Sequence, residues 1–305
     1  MSTTAWGSTT DPAGLPPAGG TGAAGATAAA PDRGDTVRHR AAGAARLLRP
    51  LTNLVTTLAA VIALWIVFLQ VYELDPLVAK SPADVWRYLF EGAQAAEHRS
   101  IVASGLGRTL LDAGLGFAAG LAAAVAVGLV FVLSRSVEQA LLPIAVVVRS
   151  VPLVAMTPLI TLIFGRDLLG TTVISGLVVF FPALVTMTFG LRSASRQAAD
   201  LCRAYGGGDW TVARKVMLPS AVPAFFASAR VGVPGALIGA MLAEWLSTGK
   251  GLGYAMLQDS STFDYDHLWA SVAVLTAVSA LAYNAIAAVE TLALARFAPD
   301  TRPGG

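Results

Sequence analysis

The chain reads as an all-α polytopic membrane protein with six transmembrane helices and with both termini in the cytoplasm. Three observations carry that expectation. Of 305 residues, 55% are apolar and only 13% charged, and the mean hydropathy is +0.65; a water-soluble domain carries about 25% charge. Six apolar stretches follow one another, each near the ~20 residues that cross ~30 Å of hydrocarbon as a helix. Open, lipid-exposed strands are excluded at that depth because their backbone groups would lack partners. Finally, thirteen Lys and Arg fall in segments on the side shared by the termini and five on the other, the bias that marks cytoplasmic segments.

The same composition excludes other classes. A net charge of +2 without a basic cluster gives no footing for nucleic acid. Cys202 is the single cysteine, so neither a disulfide framework nor a thiolate metal site is available. His39, His98 and His267 lie far apart and read as solvated loop residues rather than ligands. No nucleophile–base pair, carboxylate pair or metal cluster stands in a loop, so the chain is not expected to be an enzyme.

Residues 1–48 are rich in Ala, Gly and Pro and should form a disordered cytoplasmic tail, since they have little apolar surface to bury. Gly20, Gly22 and Gly25 match a dinucleotide-loop spacing by chance, with no strand before them and no helix after. The tail lacks the apolar core of a signal peptide and ends with Arg33, Arg38, Arg40, Arg46 and Arg49. The membrane domain is expected over 49–296, with spans at about 51–71, 103–133, 140–164, 170–191, 221–246 and 269–293. The second and third of these are long or broken. Residues 297–305 form a short cytoplasmic tail.

Between the first two spans, Ser81-Pro82 starts a short amphipathic helix through Phe90, with Trp86 and Tyr88 suited to a membrane interface. It would close the outer end of the bundle or meet an external protein. Arg108 and Asp112 are four apart, hence on one helix face. Gly116/Gly120 and Gly235/Gly239 make strips that let helices approach closely. Arg149, Pro152 and Pro158 fall in the third span, Pro182 in the fourth, Arg230 and Pro234 in the fifth. Arg149 and Arg230 either reach the inner headgroups and tie helices together, or line the inner part of a path for an anion. Glu244 closes the fifth span as an interface carboxylate or an outer-gate residue. The Gly249-Lys250 pair that follows lacks the Ser or Thr of a phosphate loop.

The most informative stretch is the polar loop at 194–219. Leu201, Ala204 and Tyr205 recur at helical spacing, and so do Trp210, Ala213, Val216 and Met217 after the Gly206-Gly207-Gly208 break. Asp209 is expected to cap the second piece, Arg214 and Lys215 to end it and Pro219 to stop it. A plain solvated loop needs neither the apolar stripe nor the glycine bend.

This loop resembles the cytoplasmic loop of the membrane subunits of bacterial binding-protein-dependent ABC importers, patterned Glu-Ala-Ala, three residues, Gly, nine residues, Ile-x-Leu-Pro. Gly206 takes the glycine, Val216 the Ile, and Leu218-Pro219 the Leu-Pro, with Asp200 on the acidic position. Ala221-Val-Pro223, and Ala243-Glu244-Trp followed by Gly251-Leu-Gly253, are similar to the nitrate, sulfonate and taurine branch. The resemblance spans roughly residues 50–295 and implies a type I importer permease in the cell membrane. In that family the loop is a coupling helix seated in a groove of a separate ATPase. Asp200, Tyr205, Gly206, Trp210, Val216, Leu218 and Pro219 are then the coupling positions, with Tyr205 and Trp210 as buried anchors of the contact. Arg149, Arg230 and Glu244 are candidates for the path. The implied partners are two ATPase subunits, a second copy or a related permease, an external solute-binding protein and membrane lipid. No cofactor is expected in this chain, ATP and Mg belonging to the ATPase. The implied solute is a sulfonate, taurine, nitrate or similar anion, with a thiamine-precursor pyrimidine or riboflavin as alternatives. An ion-coupled secondary transporter would want mid-membrane acids and an internal repeat, and an intramembrane enzyme or a scaffold is the remaining rival.

Overall fold

The computed structural model describes residues 55–73 and 75–297, with side chains through 294. The expected terminal tails and the start of the first span lie outside the described residues. Among those described, every regular element is helical. In chain order they are α1 (Val55–Tyr72), α2 (Pro82–Phe90), α3 (Ala95–Leu133), α4 (Arg135–Ser150), α5 (Leu153–Phe164), α6 (Leu168–Arg192), α7 (Arg196–Ala204), α8 (Asp209–Val212), α9 (Leu218–Ser220), α10 (Val222–Ala243), α11 (Leu252–Thr262) and α12 (Tyr265–Phe297). Single π-turns at Ala213–Met217 and Glu244–Thr248 extend α8 and α10.

Five of these helices are long and apolar enough to span a bilayer, and α4 with α5 makes a sixth if the pair is one broken span. The third span is therefore not a straight helix. It turns by 107° at Val151–Pro152, because Pro152 biases the residue before it away from helix and lacks the N–H that would continue the ladder. Val151 is accordingly extended, at φ −78° and ψ 126°. Pro143, Pro158, Pro182 and Pro234 all stay inside helices.

The core is a triad of α3, α6 and α10. A Cβ at Gly116 or Gly120 would overlap the backbone of Gly176, and one at Gly239 would come to 2.6 Å of Ser175 Cα. Backbones are thus in direct contact, which is how helices associate where lipid competes for larger side chains. Ser175 Oγ donates to Ala236 O at 2.8 Å across this contact. Around it Leu121, Ala124, Val179, Ala183, Ala236 and Ala240 form one buried cluster. By contrast α1 is largely exposed within the chain, and its Trp65 stacks on Trp269 of α12 at 5.2 Å.

At the expected outer end, α2 forms as the sequence dictates. Ser81 accepts from the Asp84 N–H and Asp84 returns a bond to the Ser81 N–H at 2.8 Å, a reciprocal cap that satisfies two orphan donors. Val85 and Leu89 are buried while Trp86 and Phe90 are exposed and in tilted contact, their ring centroids 4.3 Å apart. Tyr88 does not face outward as expected; it is half-buried and stacks on His98 at 4.0 Å. The histidines also differ from expectation. His267 is buried and its Nδ1 lies 2.6 Å from Asp259 Oδ2, and His39 lies outside the described residues. Burial pushes the Asp259 carboxyl up, against the opposing bond to His267, and burial likewise pushes Tyr88 up to about 12.

Candidate coupling loop and buried charges

After α6 ends at Arg192, Ser195 caps α7 by accepting from the Ala198 N–H. Helix α7 stops at Ala204 because Gly206 takes φ +80°, a region that L side chains rarely enter. The Gly206 N–H then bonds Arg203 O at 2.9 Å and the Gly207 N–H bonds Cys202 O at 2.9 Å, satisfying the terminal carbonyls. A Cβ on Gly207 would sit 2.7 Å from Cys202 O, so the second glycine is a packing requirement. Arg203 reaches Asp200 at 3.4 Å and Asp209 at 3.3 Å, pinning both limbs of the bend.

Two local expectations need correction. The N-cap of α8 is Gly208, extended at ψ 175°, with Asp209 as the first helical residue; Asp209 is drawn to Arg203 and still sits at the favourable end of the helix dipole. Pro219 does not stop the helix. The π-turn at Ala213–Met217 shifts the register, and Pro219 then falls in the first turn of α9, where its missing N–H costs nothing. The helical run therefore continues from Asp209 to Ser220.

The loop as a whole has a root and a free face. Val212 and Ala213 are fully buried, and Met217 and Leu218 pack on Met187, Leu191 and Ala221 at the junction of α6 and α10. On the other side Leu201 is 60% exposed, Tyr205 86% and Trp210 59%. Val216 is half-buried, and Asp200, Gly206 and Pro219 are exposed. The rings of Tyr205 and Trp210 are thus large apolar groups left exposed in the chain.

The three intramembrane candidates are not brought together. Arg149 stands at the α4–α5 elbow on the edge of a cavity of about 340 Å³ lined with Pro152, Met156, Phe181 and Pro182. Arg230 of α10 lies in a larger cavity of about 740 Å³ between α1, α10 and α12, ion-paired with Glu290 of α12 at 3.2 Å. Glu244 is fully buried at the α10–α11 corner. Its Oε2 accepts from the Gly253 N–H at 2.7 Å while Trp245 Nε1 donates to Gly253 O at 2.6 Å. Its Oε1 has no hydrogen-bond partner among the described residues. Gly251, at φ +93°, has its Cβ position filled by the Glu244 carboxylate, so only glycine fits there.

Sequence reading passed over Glu290, although an acid inside the last span was the available signal for Arg230's partner. It also passed over Glu138, which pairs with Arg192 at 2.5 Å across 54 residues of sequence; no local pattern reveals such a pairing. The Arg108–Asp112 pair is present at 3.0 Å, with Asp112 fully buried and Thr171 Oγ1 donating to it at 3.4 Å. Among the described residues no group of three metal-ligating side chains exists.

A bundle of membrane-length helices with a folded, exposed loop on one face is the class that this geometry defines. Residues 116–299 match the family described as binding-protein-dependent transport system inner membrane component. A probable ABC transporter permease of Haemophilus influenzae is 30% identical over 241 residues, covering 79% of this chain and 94% of the relative. The formylaminopyrimidine transport permease ThiX of Halalkalibacterium halodurans is 30% identical, over 61% of this chain and 74% of its own length. A putative aliphatic sulfonates transport permease, SsuC of Bacillus subtilis, is 26% identical over 73% and 79%. The chain belongs to the binding-protein-dependent ABC transporter permeases, and is a multi-pass protein of the cell membrane and a transport subunit rather than an enzyme.

Proposed function

We propose that this chain forms half of the path through which a small solute, handed over by an external binding protein, enters the cytoplasm, and that the 194–219 loop receives work from a separate ATPase. The family implies ATPase and binding-protein partners in general. The observation that carries the assignment of the loop is its division into a buried root and an exposed aromatic face. An amphipathic helical segment of this kind buries its free face in a partner groove. Tyr205 and Trp210 are the anchors, Asp200 and Arg203 hold the bend, and Leu218 and Pro219 join the loop to the span that follows. The loop and both termini then lie in the cytoplasm, and two copies of the chain, each with one ATPase subunit, complete the importer.

The path reading rests most on Arg149. It has no hydrogen bond or ion pair among the described residues, and it borders the elbow cavity. Exposed at the end of α4, its guanidinium is free to meet water or an anion, which supports a small anion such as a sulfonate as solute. Arg230 is already neutralised by Glu290 and serves to tie α10 to α12, while Glu244 holds the Gly251–Gly253 strap against α10. A pyrimidine is the second reading, favoured by the 30% identity to the formylaminopyrimidine permease.

The test is reconstitution with the ATPase and binding protein encoded nearest this gene. ATP-dependent accumulation of taurine or of formylaminopyrimidine in proteoliposomes is the expected result and tells the two solutes apart. Failure of any ATPase to copurify through the loop, with Trp210→Ala indistinguishable from wild type in the pull-down, overturns the assignment of the loop.

A further inference from the structure

We infer that the groove between α3, α4 and α6, on the same end of the bundle as the 194–219 loop, is a binding site for an anionic phospholipid. This goes beyond the importer reading and does not depend on which solute is carried.

Glu138, Leu142, Ala145 and Arg149 follow at spacings of four, three and four and so form one face of α4. Across from them α6 presents Leu184, Val185, Thr188 and Arg192. The two faces do not close, since no residue of α4 is buried. Between them runs a slot of about 250 Å³ whose walls are mostly apolar, Phe131 and Phe189 among them. It opens into a wider mouth of about 490 Å³ lined by Arg135, Glu138, Gln139 and Arg192. Both cavities share Phe131, Glu138, Leu142 and Arg192, so they form one continuous groove.

The charges at the mouth do not balance. Glu138 is engaged by Arg192, and Arg135 is exposed with no acceptor among the described residues. The mouth stands at the end of α6, three residues before Ser195, at the level where headgroups meet the loop-bearing face. A hydrocarbon slot headed by an uncompensated guanidinium at that level matches an acyl chain below an anionic phosphate. A second copy of the chain fits less well. A two-fold contact centred on this groove would set Arg135 and Arg149, which have no ion pair among the described residues, near their own copies, like charges that repel.

To test this, the permease–ATPase complex in neutral detergent is titrated with phosphatidylglycerol or phosphatidylcholine, and retained lipid is counted by native mass spectrometry. Phosphatidylglycerol is expected to be retained at one site per permease chain and about tenfold more tightly than phosphatidylcholine. Arg135→Gln, which breaks no pair, is expected to weaken it about fivefold, the worth of one basic contact with an anionic headgroup. Leu142→Trp fills the slot and should remove retention with every charge in place; if that variant fails to assemble, Arg135→Gln decides alone. Equal retention of the two lipids, an unchanged Arg135→Gln, or displacement by inorganic phosphate at equal concentration overturns the proposal. So does quantitative disulfide formation between Ala145→Cys copies in the native membrane, which would place a second permease in the groove.

Discussion

At Gly206 the constraint is conformational, because a Cβ there would meet nothing within 4 Å while φ is +80°. An L residue in that region costs about 1–2 kcal/mol, and a β-branched one more. Gly206→Val should therefore straighten the bend, abolish ATP-dependent uptake and leave insertion and expression unchanged, with Gly206→Ala intermediate; proteoliposome uptake read beside a membrane-fraction blot checks it. Arg149 and Arg230 separate by partner. Arg230→Gln and Glu290→Gln should each lower the melting temperature in detergent, because each leaves a partly buried charge unpaired. The double variant should lie closer to wild type than either single. Arg149→Gln breaks no pair, so it should leave melting unaltered and slow uptake of an anion; unchanged uptake would remove Arg149 from the path. These outcomes differ although both residues look alike in sequence. What distinguishes them is Glu290, which lies sixty residues from Arg230 and enters the site only through the packing of α12 on α10.

Among the elements, α2 is the one whose start is set by local chemistry. Its cap is written in Ser81-Pro82-Ala-Asp84, and Ser81→Ala should destabilise it by about 0.5–2 kcal/mol, seen as faster hydrogen exchange at Val85 and Leu89. The hydrogen bonds from Ser81 hold the Asp84 carboxyl below its ordinary value. A depressed value means that the folded state favours the charged form. The cap therefore contributes fully above the ordinary carboxylate value and is lost as pH falls through the lower folded one, so α2 should loosen in acid. The start of this helix at Ser81-Pro82 and its extent to Phe90 were legible, though not the inward turn of Tyr88, and so were the small-residue strips of α3 and α10, because caps and close helix contacts are properties of short sequence windows. The third span was legible as long or broken, but neither the choice of Pro152 over Pro158 nor the 107° was, since both depend on what α5 packs against. The π-turns were hidden for a related reason. Ala213–Met217 has no distinguishing composition, and the extra residue is accommodated because Val212 and Ala213 must point inward while Pro219 must avoid an N–H in the ladder. Asp209, adjacent to a glycine that needs no side chain to cap, was misread by one position on the strength of residue preference.

For the whole molecule the consequence lies in how the loop is joined to the spans. Its first limb hangs from α6 through the short Ser193–Ser195 connection, and its second runs through α9 into α10 with only Ala221 between them. The seat of that second limb is Met187 and Leu191 on α6, so force applied at Trp210 or Tyr205 is delivered to two members of the central triad at once. Those two helices touch backbone to backbone at Ser175 and Gly239, a contact too tight to shear without moving both. On the coupling role proposed for the loop, the rigid root would serve transmission and the exposed face capture. The two requirements come apart in variants. Trp210→Ala should weaken capture of the ATPase, and excess ATPase should restore uptake. Leu218→Ala removes apolar contact at the root, at a cost of up to about 2–5 kcal/mol if the site were fully buried and less here. It should leave the ATPase bound yet lower the solute moved per ATP hydrolysed, and no excess of ATPase should restore it. Measuring both quantities in the same proteoliposomes decides the matter: if the two variants fail in the same way, and both recover with added ATPase, the loop is a docking surface alone and its root carries no work.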